Sequence, residues 1–225
     1  MKRILTFIVI LFVCGISFAQ IPGSIGQNNY YNPLNSFGFK GGLNFSNLSS
    51  EYPRYKKSKL GFIVGFFYEN NLFDQFSVQP EILFSMKGCN FDQEMVDEDG
   101  DYAGKFNTTW NFNYIEIPIL VKFFIRSTKK VNHSIYFGPC FGFNVSSTFK
   151  SDLSENSMSP NNKTGTINGI SIFEFSLSPG AMLEFNDKLV IDFRYLIGLS
   201  NIFKEDFVGD TKNSIFSLLL GMKFN

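Results

Sequence analysis

Histidine occurs once in the 225 residues, at His133, and cysteine three times. Neither a Cys/His metal centre nor a dense disulfide framework can be assembled from so few. Lys plus Arg balance Asp plus Glu at 20 each, for zero formal net charge. The chain therefore has no basic field to hold nucleic acid and no acidic solvating tail. Beyond residue 20 no stretch reaches the ~20 consecutive apolar residues of a membrane helix. The strongest candidate, residues 115–125, is interrupted by Glu116 and Lys122. Glycine-rich phosphate loops and internal repeats are absent as well.

Aromatic side chains are plentiful instead. Phe appears 29 times and Tyr 9 times, while charged residues make up only 18%. A water-facing surface has little use for that composition, so an apolar medium is expected to cover part of it.

The N-terminus has the form of a secretory signal peptide, residues 1–19: Lys2 and Arg3, an apolar stretch from Ile4 to Val13, then Ser17-Phe18-Ala19. Lipid attachment at Cys14 is disfavoured because Val13 stands where a small residue belongs. An exported chain with no spanning helix is periplasmic, released, or a barrel.

Alternation separates these, because successive strand residues take opposite faces. Between residues 36 and 48, Phe37, Phe39, Leu43 and Phe45 oppose Gly38, Lys40, Gly42 and Asn44. Further on, Phe62, Val64, Phe66 and Tyr68 oppose Gly61, Gly65 and Glu69. Phe76, Val78, Pro80, Ile82 and Phe84 then oppose Ser77, Gln79, Glu81, Ser85 and Lys87, and residues 115–123 set Ile and Val against Glu116, Pro118 and Lys122. Similar stretches follow at 135–146, 173–185, 189–200 and 216–224. Each is about the 9–11 residues of a tilted membrane strand, and an even number closes without an edge. The expected fold is all-β, an eight-stranded antiparallel transmembrane β-barrel. A soluble sandwich or lipocalin-type barrel would alternate equally, but its polar face would carry more charge and fewer glycines. Phase slips at Trp110, Phe112 and Tyr114, which are even-numbered while the apolar residues from Ile115 onward are odd. A bulge, or a strand running past the bilayer, accounts for such a slip.

Connections at 70–75, 126–132 and 186–188 are short; those at 49–59, 89–108, 147–168 and 201–213 are longer. Outer-membrane barrels keep short turns in the periplasm. The expected organisation is a signal peptide (1–19), a periplasmic tail (20–35) and an outer-membrane barrel (36–225).

Several stretches resemble the PorT-like outer-membrane barrel family: Phe37-Gly38-Phe39-Lys40-Gly41-Gly42-Leu43-Asn44-Phe45-Ser46, residues 76–88, Asn113-Tyr114-Ile115-Glu116-Ile117-Pro118, and Asp192-Phe193-Arg194-Tyr195 with Gly198-Leu199. The resemblance implies an eight-stranded barrel. Its namesake is linked to type IX protein secretion, a role the resemblance alone does not carry over.

The polar face gathers Lys40, Glu69, Glu81, Lys87, Glu116, Lys122, Glu174, Glu184, Asp192, Arg194 and Lys223. In an interior just wide enough for side chains these charges are expected to pair as a lumen network, in preference to forming an ion path. Arg194, with its fork, suits a two-pronged contact to a carboxylate such as Glu81 or Glu116. His133, in a short periplasmic turn, lies far from the outer rim where a lipid hydrolase would keep its base, so no catalytic set is expected. Asp97, Asp99 and Asp101, in the acidic stretch with Asp92, Glu94 and Glu98, imitate a calcium loop. Tyr102 stands where that loop's sharp turn needs Gly, and a solvated acidic loop is expected. Cys89 and Cys140 lie on non-neighbouring strands, which argues against a disulfide. No cofactor is expected. The expected partners are outer-membrane lipid and, through the outer loops or the tail, other proteins; the expected role is a non-catalytic scaffold. An accessory part in a type IX-like secretion apparatus is the alternative, and small-solute passage ranks third.

Overall fold

The computed structural model describes residues 35–49, 56–73, 75–96, 102–127, 130–154, 163–204 and 209–224. The signal-peptide stretch, nearly all of the tail, and Asp97, Glu98, Asp99 and Asp101 lie outside them. The strands are β1 (Asn35–Ser49), β2 (Lys56–Phe73), β3 (Phe76–Val96), β4 (Tyr102–Ser127), β5 (Val131–Phe137), β6 (Pro139–Ser154), β7 (Lys163–Thr166), β8 (Phe173–Leu177), β9 (Gly180–Phe185), β10 (Leu189–Gly198) and β11 (Lys212–Phe224).

These segments form one antiparallel sheet that closes when β11 pairs with β1 as well as β10. Segments β5 and β6 are one stave interrupted at Gly138, β9 and β8 another interrupted at Ser178 and Pro179, and β7 is a short arm on β6. The ring therefore has eight staves. Both interruptions sit beside a proline, Pro139 or Pro179, which has no N–H to give the ladder. Single bonds bridge the gap: Ser178 N–H donates to Gly138 O at 2.8 Å and Tyr195 N–H to Pro179 O at 3.0 Å.

Short turns collect at one end. At the hairpin between β9 and β10, Asn186 and Asp187 both take left-handed φ, 51° and 55°. Lys188 N–H closes that turn on Phe185 O at 3.0 Å. This is the end that the sequence reading expects to face the periplasm. His133 lies within β5 with its side chain exposed, not in the turn where the sequence placed it.

The outward face is apolar: Phe37, Phe66, Ile82, Val121, Phe137, Leu189 and Leu220 are exposed around the ring. Inward positions hold Lys40, Glu81, Lys122, Glu184, Asp192 and Arg194, buried. Polar inside and apolar outside is the reverse of a soluble barrel, which would lose its core in this arrangement.

The staves differ in height. Strand β10 has 10 residues, about 25 Å along the barrel at the usual rise and tilt, enough to cross the apolar band and little more. Strands β3 and β4, with 21 and 26 residues, reach about twice that. The stretch 89–108, expected to be a loop, is therefore mostly paired strand, from Cys89–Trp110 up to Val96–Tyr102. Strand β2 likewise starts inside the stretch 49–59, at Lys56, and β6 and β7 occupy much of 147–168.

Even-numbered residues of β4 face inward all the way from Phe112 to Lys122. The phase slip read at Trp110, Phe112 and Tyr114 is thus an exchange of solvents along one unbroken strand. A bulge does occur, but on the neighbour: Asn113 pairs with Ser146 and Tyr114 with Asn144, leaving Val145 extra. Consequently Ser146, expected in the lumen, is exposed, and Ser147 is buried.

Gly180 makes one lumen contact possible. A Cβ there would lie 2.2 Å from the ring and hydroxyl of Tyr136. Gly180→Val is expected to push Tyr136 off its partners and destabilise the barrel by about 2–3 kcal/mol. A heat-dependent gel shift at the wild-type temperature in that variant would contradict the packing described.

Candidate functional site

The lumen charges assemble in layers. Nearest the short turns, Lys122 Nζ lies 2.7 Å from Glu69 and 2.5 Å from Glu184, and Lys223 Nζ lies 2.6 Å from Glu69 and 3.0 Å from Glu184. Ser77 Oγ adds a donor to Glu69 at 2.7 Å. The alternating square leaves each carboxylate with two cations.

Higher up, Arg194 spreads both terminal nitrogens across Glu81, at 2.8 and 3.1 Å, and also reaches Asp192 at 2.9 Å. Lys40 Nζ binds the same two carboxylates, at 2.5 Å to Glu81 and 2.7 Å to Asp192. Tyr136 Oη donates to Asp192 and accepts from Arg194 Nε at 3.2 Å. Gln79 ties the two layers together, donating to Glu81 at 2.6 Å and accepting from Lys122 at 3.2 Å.

A neutral tier follows, in which Asn44 Nδ2 donates to Ser85 Oγ at 2.9 Å and Ser217 Oγ donates to Asn44 Oδ1 at 2.7 Å. Above it, Lys87 Nζ sits between Glu116 at 2.6 Å and Glu174 at 2.9 Å, with the Tyr114 ring 4.3 Å away. Glu116 thus faces Lys87 rather than Arg194.

Side-chain exposure of Lys40, Glu81, Asp192, Lys122 and Glu69 is 0%. At those heights the charges are enclosed by neighbouring side chains. Each ion is costly at such burial, and the pairs offset that cost only while both members are present.

Apolar lumen residues, which the alternation did not single out, fill the spaces between the layers. Phe67, Leu120, Met182 and Val190 pack with Tyr136; Ile63, Leu83 and Leu219 form a second group; Leu196 and Ile215 enclose Cys140. Their signal was present: Ile63 and Phe67 share the parity of Gly61, Gly65 and Glu69.

Among the described residues an apolar cluster packs at the outer end of the lumen. Phe91, Phe112 and Tyr114 on the tall wall pack with Leu48, Cys89, Ile170 and Ile202, flanked by Trp110, Ile167 and Phe203. Trp110 stands edge-on to Phe91 at 4.7 Å and to Phe203 at 5.9 Å. The segments bearing Ile170 and Phe203 bridge each other, with Ser171 N–H donating to Ile202 O and Lys204 N–H to Gly169 O, both at 2.8 Å. Parts of the stretches 147–168 and 201–213, expected as free loops, are therefore tied into this seal.

Cys89 and Cys140 are free and buried in different clusters. Asp92 pairs with Lys57 at 2.5 Å. Among the described residues no His, Cys, Asp or Glu group is arranged to hold a metal ion.

The family profile described as an outer membrane protein beta-barrel domain matches residues 18–204. No curated protein matches the chain. Among solved structures, Ail, the attachment invasion locus protein of Yersinia pestis, is 18% identical, with 84% of this chain and 99% of that chain covered and a TM-score of 0.41. Neisserial surface protein A is 13% identical, with 84% and 97% covered and a TM-score of 0.45. For OprG from Pseudomonas aeruginosa the values are 11%, 85%, 97% and 0.38.

Removing Arg194 strands Glu81 and Asp192 with one shared cation, Lys40. Arg194→Met is expected to cost about 3–5 kcal/mol, and Tyr136→Phe, which removes one donor, about 1 kcal/mol. Both are read from the temperature at which the folded band converts to the unfolded one on a denaturing gel; equal temperatures for wild type and Arg194→Met would refute the network.

Proposed function

Since this chain belongs to the outer membrane protein beta-barrel domain family, and is a small non-catalytic barrel of the outer membrane, we propose that it works as a sealed scaffold whose β3–β4 hairpin stands out from the cell surface to meet partners. The carrying observation is the pairing of β3 with β4 from Leu83–Glu116 to Met95–Gly104 and, after one register shift, to Val96–Tyr102, far beyond the lipid-facing band. Residues on a rigid support bind with little ordering cost, and this hairpin is held by the barrel at its base. In this reading residues 1–19 direct export and are removed, and residues 20–35 remain as a periplasmic tail. The filled lumen and the seal over it disfavour solute passage.

A second reading, an accessory role in a type IX-like secretion apparatus, is favoured by the resemblance of residues 37–46, 76–88, 113–118, 192–195 and 198–199 to the PorT-like barrels. There the tail would be the contact.

Co-purification from intact outer membranes separates the two. Replacing residues 93–105 by a tight turn is expected to remove the bound partner and leave the heat-dependent gel shift unchanged. A partner that survives this change and is lost on deleting residues 20–34 would transfer the role to the tail and support the secretion reading.

A further inference from the structure

Pro80, Pro118, Pro139 and Pro179 stand on four consecutive staves, and beside each the ladder lapses while the register on either side of the gap is kept. Between β2 and β3 pairing stops at Phe67–Glu81 and resumes at Asn70–Val78. Between β3 and β4 it stops at Pro80–Ile119 and resumes at Leu83–Glu116. The stave of β5 and β6 loses β4 between Phe137–Val121 and Cys140–Pro118. Pro179 faces a gap on both sides, between Tyr136–Gly180 and Pro139–Leu177 and between Arg194–Gly180 and Ile197–Leu177. Proline has no N–H for a ladder, which accounts for each gap. On the other side of the barrel β10, β11, β1 and β2 pair without such a gap. One half of the wall is thus a continuous frame, and the other is creased.

Above the crease β8 is thinly held to the frame. It aligns with β10 at Leu177–Ile197 and Ser176–Gly198, and beyond them Leu199 N–H donates to Phe175 O at 2.9 Å and Phe175 N–H to Ser200 Oγ at 2.8 Å. Strand β10 is just tall enough to cross the apolar band, so these bonds stand at its outer edge, where water can take over the released groups. The lumen charges point the same way. In the two lower layers cations and carboxylates match, so withdrawing a carboxylate leaves two buried cations on the one that remains. In the upper layer Lys87 has both Glu116 and Glu174, at 2.6 and 2.9 Å. Glu174, carried by β8, can leave while Lys87 keeps Glu116. Its bond to the frame is from Asn213 Nδ2 on β11, at 3.1 Å, and Ser176 Oγ, at 3.2 Å, would travel with it.

We propose that β8 is a hinged flap, which turns about Ser178 and Pro179, parts from β10 and opens the upper lumen sideways to the outer leaflet. The crease supplies the hinge, because bending there gives up no ladder bond that is present. The surplus carboxylate supplies the release. Below the crease both ion layers stay shut, so the opening leads into the upper lumen and not through the barrel. Cys140 marks that space: it aligns with Ser176 of the flap and is buried with Leu196 and Ile215 of the frame. A flap that swings out uncovers its thiol.

The test uses the full chain with Cys89→Ser in phosphatidylcholine nanodiscs, held below the temperature of the gel shift and exposed to lipid-soluble N-ethylmaleimide, with labelling of Cys140 read by peptide mass spectrometry. Slow labelling of the folded barrel is expected. Glu174→Gln should speed it about tenfold, since a charge-assisted tie is lost, and leave the gel-shift temperature unchanged because Lys87 keeps Glu116. Leu177→Cys with Ile197→Cys joins an aligned outward pair across the seam. Its disulfide should stop the labelling, and reduction should restore it, so the same molecule serves as its own control. Labelling of Cys140 that is no faster in Glu174→Gln, or that proceeds equally with the disulfide closed, would overturn the proposal. So would a fall in the gel-shift temperature of Glu174→Gln as large as that of Arg194→Met, which would make Glu174 a structural tie like the lower charges.

Discussion

Lipid offers no hydrogen bonds, and from that constraint nearly every feature of this chain follows. A backbone N–H or C=O left open in the hydrocarbon costs several kcal/mol, so the strands must pair with one another and the last must return to the first. Pairing of β11 with β1 from Phe37–Phe224 to Ser49–Lys212 meets that demand. Closure with eight staves then fixes the interior at about the volume that side chains fill, which turns the lumen into a packing problem. Where the staves are interrupted beside Pro139 and Pro179, single bonds from Ser178 to Gly138 and from Tyr195 to Pro179 keep the backbone paired.

Inside this ring the charges belong to the core of the fold. Lys40 and Arg194 come from β1 and β10, Glu81 from β3, and Tyr136 from β5, so the middle layer ties together staves that are not neighbours in the wall. Strand pairing holds adjacent staves; cross-lumen ion pairs hold opposite ones. A hydrophobic interior would fill the same volume, but buried ionic partners are particular about register: a one-residue slip of β10 would turn both Asp192 and Arg194 to lipid. The layered network thus penalises misregistered barrels more heavily than an apolar core would.

The circular order and the facing of each stave were legible because the period of two is written in residues such as Phe76, Val78, Pro80 and Ile82 against Ser77, Gln79 and Glu81. Parity could not say which charges pair, because stagger across the lumen decides that Glu116 meets Lys87 and Glu81 meets Arg194. The height of β3 and β4 was hidden for another reason. Reading a face by its polarity assumes one solvent along the strand, and between Asn113 and Ile115 the solvent changes. Ile170, Ile202 and Phe203 carry no periodic signal at all; only their tertiary contacts with Trp110 and Phe112 reveal a seal.

The inversion of faces along β4 ties these features together, and it can be measured directly. Nitroxide labels would be placed singly at positions 109 to 122 of β4, with Cys89 and Cys140 replaced by serine, and collision rates taken with oxygen and with a water-soluble nickel complex. The account predicts strong oxygen contact at 115, 117, 119 and 121, strong nickel contact at 109, 111 and 113, and weak contact with either reagent at 112, 114, 116, 120 and 122. Nickel contact at 116 and 122 would mean a water-filled lumen, and oxygen contact persisting at 109 and 111 would mean that β4 never leaves the lipid; either result would contradict the account.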